Sequence, residues 1–462
     1  MSFFSNSLNE PKWTGAREVM AMSGPIILGS LSYTVMGFAD RVMVGRLSGD
    51  ALAAVLSADI AAFTLCTLFM GVTGVVGTFA AQCYGRGDRA QCAHYCWQGI
   101  HLSLAGILFA ALLWPLSGPL FGLMRHTPEV TALELVYFRI RLFGYYFIAV
   151  MAALTGFFQA VDRPGVPMYT AIIGNGANLL LNYVLIFGKL GFPAMGIAGA
   201  ATATVLAMAL QTGLLLAVFL SGRFNREYGS RRAWAVDLPR IRELVRIGVP
   251  AAMSMFLDVA NWWIWISFII GRFGPVQMAA NTTALSFNHI CFMPVIGLHQ
   301  GISAIVGQWI GRGDLVRAKA RTFTAIKISM GYMVFMGAFF AVFGGVLIRL
   351  FFRPDPEIVL LGHRLLILAA FFQAFDAVNI ICMGALRGAG DTRWMMWMTA
   401  FMSYGFCLPL SIFFAFVLGL ETYGAWMGAT LFIMVLSGVL FHRFNSGQWR
   451  HIQIFTQADA PQ

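Results

Sequence analysis

Long apolar stretches separated by short polar loops run along almost the whole chain. Twelve of these stretches are long enough to cross a bilayer, because a membrane-spanning helix needs about 20 apolar residues. Glycine, proline and charged residues mark the breaks, as in Gly-Arg-Gly-Asp at 85–88. The pattern therefore predicts an all-α integral membrane protein with twelve transmembrane helices. The predicted spans are 19–44, 52–78, 93–122, 131–160, 168–188, 194–220, 244–270, 277–307, 318–348, 359–385, 394–418 and 423–441.

The composition excludes most soluble folds. Of the 462 residues, 59% are hydrophobic and 11% are charged, whereas soluble domains are about 45–50% apolar and about 25% charged. So much apolar surface requires a lipid bilayer as the solvent for most of the chain. The net charge of +11 does not indicate nucleic acid as a partner, because the basic residues lie in alternate short loops and form no stripe interleaved with aromatic residues.

The basic residues also predict how the chain is oriented. Short loops rich in lysine and arginine stay on the cytoplasmic side, and the longest loop between spans, at 221–243, is such a loop. With an even number of spans, both termini then lie in the cytoplasm. We therefore expect a multi-pass protein of a bacterial inner (plasma) membrane, with residues 353–357 outside. The arginines in and beside the long loop are Arg223, Arg226, Arg231, Arg232, Arg240, Arg242 and Arg246.

The two halves of the chain resemble each other at a nearly constant offset. The segment Gln-x-x-Gly-Arg-Gly-Asp at 82–88 recurs at 308–314, an offset of 226 residues. Arg-Glu followed by a proline at 17–25 recurs at 242–250, an offset of 225 residues. Parallel repeats of six helices in transporters form two bundles that bind substrate near the repeat interface. The repeat thus predicts two pseudo-symmetric six-helix bundles. Their bounds are 1–220 for the N-terminal lobe, 221–243 for a cytoplasmic linker, 244–445 for the C-terminal lobe and 446–462 for a cytoplasmic tail.

Two carboxylates lie near the middle of predicted spans. Asp258 is in span seven and Asp376 is in span ten, and no basic residue lies within one helical turn of either. Carboxylates at this depth are energetically expensive and usually functional. Unpaired, they are natural sites for a proton or a small cation, and sodium at these two acids is the only metal that the sequence indicates. The structural alternative is a protonated acid bonded to a neighbouring backbone carbonyl.

Further polar side chains in the spans are candidates for the same chemistry. Asp40 in span one has an ion pair with Arg41 as its structural alternative, and Asp59 in span two lies near enough to its end to reach outer water. Asn178 and Asn182 in span five are four residues apart and share one helix face, so they coordinate a cation, hold Asp40 or form interhelical hydrogen bonds. Neutral oxygen ligands for the acids of the second half are offered by Asn261, Gln373, Asn379 and Asn281.

Motifs for other chemistry are missing from the sequence. There is no Gly-x-x-x-x-Gly-Lys-Ser/Thr phosphate loop, so ATP is not the expected energy source. There is also no His-Glu-x-x-His and no Gly-x-Ser-x-Gly. We therefore expect a protein that is not an enzyme, that needs no cofactor and that is driven by a gradient of Na⁺ or H⁺.

Taken in order, the motifs resemble the multidrug and toxic-compound extrusion (MATE) family, in its NorM-like bacterial branch. The likeness covers nearly the whole chain, and the ordered set of motifs is more specific than any one of them. It rests on Ala-Asp-Arg-Val-Met-Val-Gly at 39–45, the segment at 82–88, Asn178-x-x-x-Asn182-Tyr-x-x-Ile-Phe-Gly188, Pro250 with an acid eight residues on, and Asp376 followed by Leu-Arg-Gly-x-Gly-Asp-Thr at 386–392.

The resemblance implies a V-shaped pair of six-helix lobes. Such a protein exchanges extracellular Na⁺ or H⁺ for intracellular organic cations by alternating access, and we expect it to be a monomer. By resemblance, Asp258 and Asp376 form the cation site of the second lobe. Asp40, Asn178 and Asn182 match the polar cluster of the first lobe. The chain departs from the family at 258, where glutamate is usual, and in having Asn-Thr at 281–282 in place of a frequent His-Gln.

Two other functions fit parts of the pattern. One is a lipid-linked oligosaccharide or other amphiphile flippase of the same superfamily, which favours basic or uncharged residues in its cavity. The acids within the spans favour a cationic cargo instead. The other is a membrane-embedded transferase, which needs a cluster of His, Asp or Arg at one face of the membrane, and the sequence shows no such cluster.

Overall fold

A computed structural model describes residues 13–122, 124, 126–352 and 355–455. Those residues are almost entirely helical and contain no β-strand. Three predictions fall partly on other residues, because 1–12 of the predicted N-terminal lobe, 353–354 of the predicted outer loop and 456–462 of the predicted tail lie outside the described part of the chain.

The first half of the chain forms ten helices in the described residues. They are α1 Thr14–Gly45, α2 Gly49–Gly74, α3 Val76–Arg86, α4 Arg89–Leu102, α5 Ala105–Gly122, α6 Pro128–Leu142, α7 Gly144–Ala160, α8 Gly165–Phe187, α9 Gly196–Phe219 and α10 Gly222–Tyr228.

The second half contains longer helices and three π-helical turns. The α-helices are α11 Leu238–Ile264, α12 Pro275–Gly311, α13 Leu315–Phe352, α14 Pro356–Ala389, α15 Thr392–Ala400, α16 Leu408–Ile412 and α17 Glu421–Asn445. The π-helical turns are Trp265–Ile269, Phe401–Cys407 and Phe413–Val417, and 3₁₀ turns lie at Ile270–Phe273 and Gln448–His451.

The number of apolar helices confirms the predicted transmembrane fold. By length and composition, the described residues form 11 helices able to cross a membrane, or 12 when α6 and α7 count as one span. Those two helices are bent by 43° relative to each other. The break precedes Gly144, where a Cβ would lie 3.3 Å from the Met208 sulfur, so the missing side chain lets α9 approach the bend. Each predicted span overlaps one of these helices or this bent pair.

The helices form two compact units by their contacts. The first unit contains Leu28–Ala252 together with residues 454–455, and the second contains residues 13–27 together with Met253–Gln453. The chain therefore passes from one unit to the other inside α1 and again inside α11. Each of these helices carries a proline two residues before the passage, Pro25 and Pro250. The predicted lobe boundaries at 220 and 244 describe the repeat and stay a prediction.

Glycine brings helices of the second unit into backbone contact. A Cβ on Gly388 of α14 would lie 2.2 Å from the Ser303 carbonyl oxygen of α12, and a Cβ on Gly384 would lie 2.6 Å from the His299 carbonyl oxygen. Small residues allow such close approach in membranes, where helix association depends on van der Waals packing. This contact fixes α14, which carries Asp376, against α12.

The first unit uses glycine in the same way. A Cβ on Gly199 of α9 would lie 2.6 Å from the Leu185 carbonyl oxygen of α8, and a Cβ on Gly174 of α8 would lie 3.1 Å from the Cβ of Gln211. The close packing of α8 and α9 sets the rotation of α8. It buries the side chains of both Asn178 and Asn182.

Candidate cation site

Asp376 lies buried in the middle of α14, with 7% of its surface exposed. One of its carboxylate oxygens accepts a hydrogen bond from Asn379 Nδ2 at 3.0 Å, because residues three apart lie on neighbouring positions of a helix surface. The amide oxygen of Asn379 is also buried and has no hydrogen-bond partner. An acid and a neutral oxygen ligand are therefore side by side.

Asp258 of α11 lies within electrostatic range of Asp376. It is half-buried, and the Trp262 side chain lies close enough to act on its carboxylate. Within the described part of the chain, neither acid makes an ion pair with a basic residue. Two uncompensated carboxylates thus share one region of the second unit.

A series of contacts between α11 and the segment 399–407 positions Asp258. Ser254 pairs with Thr399 through their hydroxyls at 2.9 Å, and Tyr404 Oη donates to the Leu257 carbonyl oxygen at 3.0 Å. These contacts follow the same chain direction on both sides, so α11 runs parallel to α15 and the turn that follows it. Asp258 directly follows Leu257 and precedes a third contact. In that contact, Asn261 Nδ2 lies 3.9 Å from Cys407 Sγ.

Two of these contacts involve residues of the π-helical turn Phe401–Cys407. Single π-helical turns in α-helices are frequent at functional sites, since the extra residue turns side chains away from the regular spacing. Here Tyr404 and Cys407 both lie within electrostatic range of Asp258. The turn therefore places polar side chains opposite the acid. Sequence analysis missed Tyr404, because helical periodicity does not reveal a π turn.

Three buried oxygens in these elements have no hydrogen-bond partner. They are Asn261 Oδ1, Asn379 Oδ1 and Ser403 Oγ. An unsatisfied buried polar atom costs about 1–3 kcal/mol. Two carboxylates with amide and hydroxyl oxygens are the ligands that small, hard cations prefer, so the donor set suits a proton or a sodium ion.

The structure places two other predicted ligands elsewhere. Gln373 donates to Asn288 Oδ1 at 3.4 Å, toward α12 rather than toward an acid. Asn281 accepts a hydrogen bond from Trp426 Nε1 at 2.9 Å. Neither makes a hydrogen bond with Asp258 or Asp376, because the rotation of each helix directs these amides to other neighbours. Their supporting role at the acids stays a prediction.

The first unit contains a second polar cluster. Asn182 Nδ2 donates to Asp40 Oδ1 at 2.5 Å and to Asn178 Oδ1 at 3.0 Å. Asn178 in turn donates to Thr204 Oγ1 of α9 at 3.5 Å. Asp40 makes no ion pair with the adjacent Arg41. The structure brings Asp40, Asn178 and Asn182 together, and their role as cation ligands stays a prediction.

A buried arginine that the sequence analysis did not consider lies beside this cluster. Arg141 Nη2 forms an ion pair with Asp59 Oδ1 at 3.0 Å, and Tyr137 Oη donates to the same oxygen at 3.4 Å. The Asp59 side chain is 48% exposed, whereas that of Arg141 is 12% exposed. The signal was present in the sequence, since an arginine inside a predicted span is as unusual as an acid there.

Comparison with known families agrees with the fold and with the repeat. A family model described as MatE matches residues 25–184 and 250–417, one match in each half of the chain. A probable multidrug resistance protein NorM of Rhizobium meliloti is 31% identical over 444 residues, covering 93% of each chain. The multidrug resistance protein PmpM of Pseudomonas aeruginosa is 30% identical, covering 85% of this chain and 83% of its own.

Solved structures show the same fold at lower identity. An outward-facing multidrug resistance MATE family transporter of the MOP superfamily has a TM-score of 0.86 at 21% identity and covers 95% of this chain and 97% of its own. The eukaryotic MATE transporter AtDTX14 has a TM-score of 0.83, covering 94% and 96%. The family model matches well over half of the chain, and so this multi-pass membrane protein belongs to the MatE family of transporters.

Proposed function

We propose that the chain is a secondary multidrug efflux transporter of the bacterial inner membrane. It exchanges external Na⁺ or H⁺ for organic cations from the cytoplasm by alternating access. Relatives about 30% identical over most of the chain are named as multidrug resistance proteins, which supports efflux of drugs. The observation that carries the ion coupling is the pair of uncompensated acids, Asp258 and Asp376.

The physical argument for coupling rests on charge. An ionised carboxylate inside a membrane protein is costly unless a cation neutralises it. Asp258 and Asp376 have no basic partner, and unpartnered oxygens of Asn261, Asn379 and Ser403 lie on the elements around them. Binding of a proton or sodium ion stabilises this region, and release of the ion destabilises it. An ion gradient is thereby able to change the relative stability of two transport states.

The orientation belongs to the same proposal. Residues 221–243 and both termini lie in the cytoplasm, because the arginine-rich loop stays on that side. The chain acts as a monomer built from two six-helix lobes, 1–220 and 244–445. The first-lobe cluster of Asp40, Asn178 and Asn182 adds negative and polar groups suited to a cationic cargo.

Efflux from reconstituted vesicles tests the proposal. Purified protein is placed in liposomes loaded with ethidium, and dye movement is followed under a sodium gradient and then under a pH gradient. We expect either gradient to drive transport, and Asp258→Asn and Asp376→Asn to abolish it. Asp50→Asn, at an exposed acid of α2, serves as the matched control and keeps full transport. Transport that needs neither gradient, or that survives both substitutions, would contradict the proposal.

A further inference from the structure

Two acids of the first unit lie near one largely buried arginine, Arg141. Arg141 of α6 forms an ion pair with Asp59 of α2. Asp40 of α1 lies within electrostatic range of Arg141, of Asp59 and of the adjacent Arg41. Three helices therefore contribute two carboxylates and one guanidinium to a single charge cluster.

The surroundings of Arg141 fix its charge in that cluster. Its Nη1 lies 3.7 Å from the Met208 sulfur of α9, and its Nε is buried without a hydrogen-bond partner. Tyr137, Tyr145 and Cys66 are the other titratable side chains around it. A guanidinium stays protonated under all cellular conditions. Because the Arg141 side chain is only 12% exposed, the acids and not solvent supply its counter-charge.

The repeat shows that the second unit has no equivalent of the Arg141–Asp59 ion pair. Ala369 stands where Arg141 does, at the offset of 228 residues that also relates Pro128 of α6 to Pro356 of α14, and Leu285 stands where Asp59 does, at the offset of 226. Among the described residues, no cationic side chain lies beside Asp258 or Asp376. The first unit thus has a fixed positive charge beside its acids. In the second unit, an exchangeable ion has to neutralise the acids.

We infer that Arg141 occupies, as a fixed charge, the place of one coupling cation in the first unit. It thereby sets how many ions the transporter takes up in each cycle. This inference rests on the proposed ion-coupled function. Replacing Arg141 by a neutral side chain leaves two acids without a counter-charge, and a cation from solution then takes its place.

Equilibrium binding of radioactive sodium to protein in lipid nanodiscs tests the inference. At saturating sodium and alkaline pH, Arg141→Gln is expected to bind one sodium ion more per chain than the wild type. Arg139→Gln is the matched control, since Arg139 lies on the same helix, donates to Ser117 Oγ at 3.0 Å and has no acid as a partner. Arg139→Gln should bind the wild-type number of ions.

A double variant checks the charge balance. Removing Asp59 together with Arg141, as Asp59→Asn with Arg141→Gln, takes away one charge of each sign. The number of bound sodium ions should then return to that of the wild type. An unchanged number in Arg141→Gln, in protein that elutes as a single folded species, would overturn the inference.

A lysine variant keeps the test decisive if Arg141→Gln does not fold. Arg141→Lys retains the charge at neutral pH, but a buried lysine is able to lose its proton as the pH rises. Its sodium stoichiometry should therefore equal that of the wild type at neutral pH and exceed it by one ion at high pH. A lysine variant that has lost its proton at high pH and still binds the wild-type number of ions would also overturn the inference.

One further variant separates this inference from the proposed function. If Asp376→Asn binds as much sodium as the wild type and transports the drug normally, the proposed coupling site is wrong whatever Arg141 does. If Asp376→Asn loses sodium binding while Arg141→Gln gains none, the coupling site stands and only the role of Arg141 is wrong.

Discussion

Glu18 of α1 and Arg321 of α13 form an ion pair in which Arg321 Nε donates to Glu18 Oε2 at 2.6 Å. The repeat places an equivalent contact in the first unit, where Tyr95 Oη donates to Glu243 at 2.5 Å. Both halves have a glutamate at this position, which accepts from a guanidinium in one half and from a phenol in the other.

The two glutamates should therefore contribute differently to stability. Glu18→Gln removes the negative charge that pairs with the guanidinium of Arg321, which is 5% exposed. Removing one partner of a buried pair costs about 3–5 kcal/mol, and the 29% exposure of Glu18 places the expected loss near the lower end. Glu243→Gln keeps an acceptor for Tyr95 and should cost about 1 kcal/mol. Thermal unfolding in detergent measures both, and an equal loss would contradict this difference.

Sodium and protons are expected to compete at the second-unit acids. Two carboxylates within electrostatic range resist simultaneous ionisation, so a bound proton or a sodium ion relieves their repulsion. Adding sodium at fixed pH should release protons from purified wild-type protein, and Asp376→Asn should abolish the release. A pH indicator in weakly buffered solution follows it. No release from the wild type would exclude shared occupancy, and loss of release in Asp40→Asn alone would place the site in the first unit.

Cysteine labelling tests the proposed orientation. The seven native cysteines lie buried, which keeps the background low. Arg232 and Asp355 are both exposed positions. In intact cells an impermeant thiol reagent should label Asp355→Cys and should label Arg232→Cys only after the membrane is opened. The reversed pattern would invert the topology.

The backbone contact between α12 and α14 predicts an unusually severe glycine substitution. Gly388→Ala places a Cβ 2.2 Å from the Ser303 carbonyl oxygen, so one helix has to move. Such overpacking costs about 1–3 kcal/mol and should lower the unfolding temperature and the yield of folded protein. Gly331→Ala on α13 is the control, because nothing lies within 4 Å of its Cβ. Equal behaviour of the two variants would show that the helices adapt freely.

Hydrophobic spacing predicted the fold because lipid permits few solutions. Each apolar stretch of sufficient length has to become a helix, so the twelve spans followed directly from the sequence. The pairing of Asp376 with Asn379 was equally accessible, since both lie on one helix at a fixed spacing. The bend before Gly144 was not, because it depends on the approach of α9 to a glycine.

Contacts between distant helices were harder to predict. Gln373 and Asn281 lie on the expected helices, but rotation of those helices directs their amides to Asn288 and Trp426. Arg141 and Asp59 lie on separate helices, α6 and α2, and nothing in linear spacing shows that they meet. Residue type and depth therefore predict which side chains matter, whereas helix rotation decides which of them act together.

The passage of the chain between its units inside α1 and α11 has a mechanical consequence. A loop would absorb a displacement by changing its own shape, but a continuous helix transmits it as bending or twisting. Pro25 and Pro250 stand two residues before the two passages, and a proline inside a helix removes one backbone hydrogen bond and lowers the resistance to bending there. The two prolines are therefore the places where α1 and α11 resist bending least.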